Sequence, residues 1–281
     1  MSKRYLRSRQ VHRLYRNLCA VGFDARQAIR AAREIVPAAR QARQYSAQEK
    51  SSLGPRFPAG PKMLCFGDSL ESGGTARGHY FHQDLVVARD IYTRNPRRHI
   101  DVGSSVYGFV SHVASFRQIE VLDIRSIEDK IPGITFRQAD IMNLPDVSDL
   151  TADSVSCLHA LEHMGLGRYG DPIAYDGWQT ALTTLTRMVE VGGVLYISVP
   201  TGQIQRTEFN AHRVFRVQTF LDAIPEDFHV TWAHFVHDDG SITYDFDPRS
   251  IDGQEAFGSA YGLSIWALER RIPGSPSSER R

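Results

Sequence analysis

The feature that most constrains the fold is a regular alternation of short apolar strands with helices between residues 79 and 270. Strands that alternate with helices form mostly parallel sheets. The last two strands have no obvious helix between them, which favours an antiparallel pair at the end of the chain. The sequence therefore predicts an α/β fold with a doubly wound, seven-stranded, mostly parallel sheet and an antiparallel C-terminal strand. The predicted strands are 98–103, 120–124, 134–138, 154–159, 194–199, 230–237 and 263–270.

Charge divides the chain into a basic N-terminal part and an acidic body. Residues 1–50 contain 12 Lys/Arg and 3 Asp/Glu, a net charge of +9, and the remainder carries −8. Apolar spacing and an Asp24 N-cap predict a basic helical arm over residues 1–44, with Pro37 kinking or ending its second helix. Residues 45–62 are rich in Ser, Gly and Pro and are predicted to be a linker. The α/β domain then covers 63–273, and the polar segment 274–281 is predicted to be disordered.

A basic arm predicts an anionic partner. We expect peripheral membrane contact through residues 1–50, with nucleic acid, the protein's own acidic body, or no dedicated partner as alternatives. The chain has three widely spaced cysteines, no apolar stretch near the roughly 20 residues that span a bilayer, and no apolar core behind the basic N-terminus. These features favour a cytoplasmic protein, which would meet the inner face of the membrane.

Ligands of open α/β sheets bind where the parallel strands end. The first strand runs into Asp101-Val-Gly103-Ser104-Ser105, where a glycine lets the backbone approach a ligand and the next helix offers its N–H groups. Asp101 is expected to pair with an ammonium group. Asp123, about 20 residues later, can accept bonds from ribose hydroxyls, and Asp140 from an adenine amino group while Ile141 packs on the ring. The predicted cofactor-binding residues are Asp101, Gly103, Ser104, Ser105, Asp123, Ile124, Asp140, Ile141 and His159.

This constellation, together with Leu161-Glu-His163 and the segment 191–200, resembles the class I S-adenosylmethionine (SAM)-dependent methyltransferases over residues 79–270. The resemblance implies a Rossmann-like fold, SAM as cofactor and methyl transfer as the reaction. The glycine turn departs from the family pattern, because Ser105 and Tyr107 replace the second and third glycines and Gly108 comes one residue later. The dehydrogenase pattern Gly-x-Gly-x-x-Gly is not present.

Three further segments, 78–84, 159–172 and 209–213, are similar to a bacterial family known only as a domain of unknown function. Genes of that family often lie near surface-polysaccharide genes. The resemblance implies a sugar or glycan-pathway acceptor, which would be a small molecule or a glycan.

The segment after the fourth strand contains several side chains that can take part in catalysis or bind a substrate. Histidine titrates near neutral pH and suits a general base, and arginine suits an anionic acceptor. Three glycines within 165–170 predict a substrate loop. The predicted catalytic residues are His159, His163, Asp171 and His212, and the predicted substrate-binding residues are His82, Arg168, Tyr169, Asn210 and Arg213. We expect no metal, because the grouping His79, His82 and His212 matches no recognised ligand spacing.

Three alternative functions stay open. A non-catalytic scaffold would keep the fold, and a nucleic-acid methyltransferase would use the basic arm, although the acidic body argues against it. The segment Gly67-Asp-Ser69-Leu70 resembles the nucleophile block of an esterase family. The other blocks of that family are missing, so we expect this match to be accidental.

Overall fold

The computed structural model describes residues 24–51 and 76–272, together with Gly22, Cys65 and Gly74. The chain divides into two compact units, Met1–Thr75 and Ala76–Arg281. Ser69, residues 1–21 and 23 of the basic arm, most of the predicted linker and the tail 274–281 lie outside the described residues.

The first unit contains helix α1, Ala25–Ser51. The helix continues through Pro37 and into the first seven residues of the segment predicted as a linker. Proline costs the helix one hydrogen bond, but the surrounding Ala, Arg and Gln residues are strong helix formers and sustain it. None of the described helices has an apolar stretch long enough to cross a bilayer.

The second unit contains the strands and the remaining helices. The strands are β1 (His99–Val102), β2 (Ile119–Asp123), β3 (Ile134–Gln138), β4 (Ala152–Leu158), β5 (Val189–Thr201), β6 (Arg206–Glu208), β7 (His212–Val214), β8 (Phe228–Val236), β9 (Ile242–Thr243) and β10 (Gly262–Arg270). The helices are α2 (His79–Arg94), α3 (Ser111–Ala114, continuing a π-helical turn at Val106–Val110), α4 (Gly177–Met188), α5 (Val217–Asp222) and α6 (Ile251–Gln254). Short 3-10 turns lie at Ile141–Asn143, Ser148–Leu150, Leu161–His163 and Ala256–Gly258.

Eight strands form one sheet in the order β3-β2-β1-β4-β5-β10-β8-β9. Strands β1 to β5 pair in parallel, and β10 pairs antiparallel with both β5 and β8. The chain builds outward from β1 in one direction through β2 and β3, and in the other through β4 and β5. This reversal at β1 is the switch point of a doubly wound sheet. The predicted Rossmann-like, mostly parallel sheet with an antiparallel C-terminal strand is confirmed.

The strand count differs from the seven predicted. The additional strand β9 is two residues long, and β6 and β7 form a separate hairpin. These strands are too short to show an alternating apolar pattern, which is why the sequence does not reveal them. Strand β5 begins at Val189, directly after α4, and not at residue 194. Its pairing with β4 shifts register between Ala152, which faces Val189, and Ser154, which faces Val194. The shift leaves the intervening residues, including Gly192-Gly193, outside the regular pairing.

Both faces of the sheet are covered by apolar packing. Strand β10 shows the alternation: Trp266 and Leu268 pack in one core cluster, while Ile265 and Ala267 pack in the other. All four are fully buried, and burial of each large apolar side chain contributes about 1.5–3 kcal/mol. With both faces occupied, the open space lies where the parallel strands end.

Candidate functional site

A cleft opens at the carboxyl ends of β1 to β4, on both sides of the switch point. Its volume is about 600 Å³ including the space at its mouth, within the usual range for small-molecule sites. Six predicted cofactor residues line it: Gly103, Asp123, Ile124, Asp140, Ile141 and His159. Three predicted catalytic or substrate residues also line it: His163, Tyr169 and Asp171.

Gly103 forms the floor of the cleft after β1. Its φ is +73°, a left-handed conformation that glycine adopts without strain. Its N–H donates to the Leu122 carbonyl at 2.9 Å. A Cβ at this position would stand 3.1 Å from the Cβ of Ala160, so the close approach of two loops requires glycine here.

Asp101 does not line the cleft, contrary to its predicted contact with an ammonium group. The side chain is fully buried, and its oxygens accept from the Ser104 N–H at 3.0 Å, the Ser104 hydroxyl at 2.6 Å and the Ser156 hydroxyl at 2.5 Å. Burial raises the pKa of Asp101 to about 6, although these hydrogen bonds lower it. Asp101 therefore stabilises the turn after β1 from the protein interior, by joining Ser104 to Ser156 of β4.

The predicted N–H donors of the turn also lie elsewhere. Ser104 is buried, and its hydroxyl accepts from the Leu158 N–H at 3.1 Å as well as donating to Asp101, while Ser105 is not among the residues that line the cleft. The unusual glycine spacing has a steric cause: Tyr107 is 98 % exposed, whereas a Cβ on Gly108 would collide with the carboxylate of Asp84. Glycine is thus required one residue later than in the family pattern.

Strand β2 ends at Asp123, whose carboxylate faces the cleft and is engaged by Arg125. Oδ1 accepts from the Arg125 backbone N–H at 2.8 Å and from Nε at 2.9 Å, and Oδ2 accepts from Nη2 at 2.8 Å. The guanidinium also lies 4.5 Å from the ring centroid of Tyr169. Arg125 therefore joins the end of β2 to the loop across the cleft, a role that the sequence analysis missed.

Beyond β3, Asp140 caps the 3-10 turn Ile141–Asn143. Its Oδ1 accepts from the Met142 N–H at 3.0 Å and its Oδ2 from the Asn143 amide at 2.6 Å. Ile141 is 5 % exposed and presents an apolar surface to the cleft. The capped turn and the isoleucine make a slot with one apolar wall and a carboxylate at its edge.

His159 follows β4 with a φ of +55°. Its N–H donates to the carbonyl and hydroxyl oxygens of Ser198 at 3.1 and 3.0 Å, and the Ser198 hydroxyl donates to Gln83 at 2.6 Å. The ring stacks on Tyr80, with centroids 4.8 Å apart, and its Nε2 lies 3.2 Å from Nδ1 of His79. Helix α2 thus covers this imidazole, which was not expected from the sequence.

Glu162 is fully buried between two imidazoles. Its Oε1 lies 2.6 Å from Nδ1 of His159 and 3.6 Å from Nε2 of His163. Burial raises the pKa of Glu162, but the two imidazoles offset this and hold it below its ordinary value. Despite the short distance, neither carboxylate oxygen nor Nδ1 of His159 has a well-aligned hydrogen-bond partner among the described residues.

His163 is fixed from its other side. Its Nδ1 lies 2.6 Å from the Ala211 carbonyl, which also accepts from Nη1 of Arg168 at 2.9 Å. Burial lowers the pKa of His163, although Glu162 opposes this. Arg168, predicted to bind the acceptor, instead joins the loop to the segment before β7 and does not line the cleft.

Asp171, predicted to be catalytic, organises the glycine-rich loop. Its Oδ2 accepts from the N–H groups of Gly165 and Gly167 at 2.8 and 3.0 Å, and its Oδ1 accepts from that of Tyr169 at 3.1 Å. Three backbone donors occupy both oxygens, so the carboxylate holds the loop. Tyr169, which belongs to this loop, has the guanidinium groups of Arg125 and Arg168 at 4.5 and 5.0 Å from its ring centroid.

Four other predicted residues do not line the cleft. Arg213 is buried and donates to the carbonyls of Met164 and Tyr175 at 2.7 and 3.0 Å, so it braces the backbone. His82 is bonded to the Gly240 carbonyl at 3.1 Å. His212 is 7 % exposed and packs on Tyr261, with ring centroids 5.0 Å apart. Asn210 is exposed in the turn before β7.

The cleft has two parts with different side chains, which suit different kinds of chemistry. The ends of β1 to β3 offer a glycine floor, two carboxylates and an apolar wall, which suit a nucleoside. The end of β4 offers imidazoles ordered by a buried carboxylate, which suit proton transfer or metal binding.

Comparison with known proteins gives a partial family match. Residues 110–229 match a family described as "Caenorhabditis protein of unknown function, DUF268". No curated protein matches the chain. The family description names neither bacteria nor polysaccharides.

Several solved structures resemble the chain at low identity. The [4+2]-cyclase SpnF is 14% identical over 71% of this chain and 86% of that one, with a TM-score of 0.49. The N-methyltransferase NodS from Bradyrhizobium japonicum, in complex with S-adenosyl-L-homocysteine, is 10% identical over 69% and 88%, with a TM-score of 0.44. Coclaurine N-methyltransferase, bound to N-methylheliamine and S-adenosylhomocysteine, is 10% identical over 73% and 79%, with a TM-score of 0.47. The fold assignment rests on this chain's own strand order.

Proposed function

We propose that the protein is a SAM-dependent methyltransferase. The observation that carries the proposal is the cleft at the switch point, where the Gly103 floor, Asp123 and the Asp140-Ile141 slot follow three successive parallel strands. Each of these features is common alone, but their order along one cleft matches the parts of an adenosyl cofactor.

The lining residues suit SAM. We assign Ile141 to the adenine face, Asp140 to its edge, Asp123 to the ribose hydroxyls and the Gly103 turn to the amino-acid portion. Ile124 contributes to the wall beside the ribose. When bound, SAM supplies a methyl group on a positively charged sulfur, and the protein has to position the acceptor and remove its proton.

We assign the proton transfer to the imidazoles at the end of β4, with His159 as the general base. Its ring lines the cleft, and Glu162 orders it at 2.6 Å. Tyr80 is 54 % exposed and Tyr169 is 36 % exposed. Both carry flat apolar faces with a hydroxyl, which suits a sugar ring. We therefore propose a sugar or glycan-pathway hydroxyl as the acceptor.

Binding of SAM and of S-adenosylhomocysteine to the full chain, measured by calorimetry, tests the proposal. We expect one site with micromolar affinity, about −8 kcal/mol. Transfer of a radioactive methyl group to nucleotide sugars and lipid-linked glycans then tests the acceptor class. His159→Gln should reduce turnover about 100-fold while S-adenosylhomocysteine still binds. No binding at millimolar concentration would exclude the cofactor.

A non-catalytic binding protein is the second candidate, favoured by one observation. Arg125 already engages both oxygens of Asp123, so the ribose site is partly occupied by the protein itself. Cofactor binding without transfer to any acceptor would support this candidate.

We further propose that residues 1–50, with their net charge of +9, bring the protein to the cytoplasmic face of an anionic membrane. Each basic residue near such a surface contributes about 1 kcal/mol. Deletion of residues 1–50 should abolish sedimentation with anionic vesicles. Unchanged sedimentation would refute the membrane role, and a steep salt dependence of RNA binding would favour nucleic acid instead.

A further inference from the structure

We infer that Glu162, His159 and His163 bind a divalent metal ion. Their nearest ligand atoms, a carboxylate oxygen and two ring nitrogens, lie within 4.8 Å of one another. Two histidines and one carboxylate are the protein ligands of many catalytic zinc sites.

Hydrogen bonding fixes the orientation of His163. A carbonyl oxygen only accepts, so Nδ1 of His163 must donate to Ala211 at 2.6 Å. In the neutral ring, Nε2 then carries a lone pair, and this atom is the one 3.6 Å from Oε1 of Glu162. Metal-bound histidines commonly have their second nitrogen donating to a backbone carbonyl in this way.

His159 is oriented by a similar chain. His79 hydrogen-bonds to the backbone of Tyr261, and its Nδ1 faces Nε2 of His159 at 3.2 Å. If His79 donates to Tyr261 through Nε2, its Nδ1 accepts the proton of His159 Nε2. Nδ1 of neutral His159 is then a lone-pair donor, 2.6 Å from Glu162.

With these tautomers, three electron-rich atoms face a bound ion, whereas without an ion the 2.6 Å contact lets Nδ1 of His159 donate to Glu162. Glu162 is fully buried, and neither of its oxygens has a well-aligned hydrogen-bond partner in the described part of the chain. A buried carboxylate with poorly aligned partners is costly, and a bound cation offsets that cost. A divalent ion would meet one anionic and two neutral ligands, the usual charge of a catalytic zinc site.

Zinc binding requires the side chains to shift by less than the width of an atom. Ligands about 2.0–2.1 Å from a tetrahedral zinc stand roughly 3.3 Å apart. The 3.6 Å separation of Glu162 and His163 fits this value. The 2.6 Å separation of Glu162 and His159 has to widen by about 0.7 Å to reach this tetrahedral spacing. Both histidines line the cleft, so the remaining coordination position would face its interior.

The metal site does not depend on the methyltransferase proposal, because its evidence is the hydrogen bonding of the three side chains. If that proposal holds, the ion would lower the pKa of a coordinated acceptor hydroxyl. It would then do the work otherwise assigned to His159 as general base.

Titration of the chelator-treated full chain with Co²⁺ and Zn²⁺, without SAM, tests the inference. We expect one equivalent of Co²⁺ to bind with visible absorption bands, and Zn²⁺ to displace it. Glu162→Gln and His163→Gln should each weaken binding about 100-fold. His237→Gln, which changes a histidine bonded to Thr243 outside the cluster, should bind as the wild type does. Circular dichroism establishes that each variant is folded.

A zinc-soaked crystal of the wild-type chain tests the site without any substitution. An anomalous peak within about 2.3 Å of Glu162 and His163 is expected. The inference is overturned if the wild type binds no ion at 100 μM, if the peak lies elsewhere, or if folded Glu162→Gln binds normally. SAM binding is measured separately in chelator, so failure of either proposal leaves the other intact.

Discussion

Arg125 donates three hydrogen bonds to Asp123, two residues before it, and so occupies the carboxylate that ends β2. A carboxylate can accept about four hydrogen bonds. Only one acceptor position therefore remains for the two hydroxyls of a ribose. Binding of an adenosyl cofactor requires at least one bond from Arg125 to give way.

This relationship predicts opposite effects for two substitutions. Arg125→Ala should strengthen S-adenosylhomocysteine binding about threefold to tenfold, because the carboxylate no longer has to be released, while Asp123→Asn should weaken it at least about tenfold. Calorimetry measures both. Asp149→Asn, which removes a carboxylate paired with Arg137 at 2.6 Å outside the cleft, is the matched control. Equal affinities for Asp123→Asn and the wild type would contradict the ribose assignment.

Gly103→Ala should weaken cofactor binding and also destabilise the fold. The left-handed backbone costs alanine about 1–2 kcal/mol, and the new Cβ crowds Ala160 at 3.1 Å. Urea unfolding and calorimetry measure the two effects. Gly258→Ala carries a similar φ of +76° with open space around it, so it should lose stability but bind the cofactor normally. Normal binding by folded Gly103→Ala would exclude this turn from the site.

Asp171→Asn should loosen the glycine-rich loop. An asparagine has one acceptor oxygen in place of two, so at least one of three backbone donors loses its partner at a cost of about 1–3 kcal/mol. Trypsin cleavage after the exposed Arg168 should become faster. Asp176→Asn, at the start of α4, should leave the cleavage rate unchanged. An unaltered rate in Asp171→Asn would show that the loop is held by other contacts.

Asp84→Asn should change how stability depends on pH. Burial raises the pKa of Asp84 from 3.8 to about 6, although the Gln83 hydrogen bond lowers it. The folded state therefore favours the protonated acid. This stabilisation is fully present when the pH is below 3.8, the pKa of the unfolded chain, and it is lost as the pH rises through about 6. Relative to wild type, the variant should gain about 1–2 kcal/mol between pH 4.5 and 7.5. Urea unfolding of the variant and the wild type at both pH values measures the difference in their free energies of unfolding. A difference that does not change with pH would refute the raised pKa of Asp84.

The strand ends were predictable because their position follows from topology. Asp123 ends β2 and Asp140 lies two residues after β3, and parallel strands end at one edge of a sheet. Asp101 has the same local pattern but a different environment, because Ser156, on the neighbouring strand, supplies one of its hydrogen bonds. The sequence around Asp101 carries no signal of that partner.

The histidine cluster shows a second limit of prediction from sequence. His159 and His163 were predicted from their position after β4, but Glu162 acquires its role from distant groups. These groups are the Ala211 carbonyl, 48 residues beyond His163, and His79, 80 residues before His159. Arg125 was also missed. An arginine that follows a strand is common in sequences, and only the structure shows that its partner Asp123 lines a cleft.

The interior position of β10 has a consequence for synthesis on the ribosome. β10 follows β8 and β9 in the chain but separates them from β5, with eight residue pairs joining β10 to β5 from Val194 to Thr201. Until Gly262–Arg270 emerges, β5 is an unpaired, apolar sheet edge, which is a template for intermolecular association. The nascent chain therefore has to be kept from aggregating at β5 while the last strands are being made.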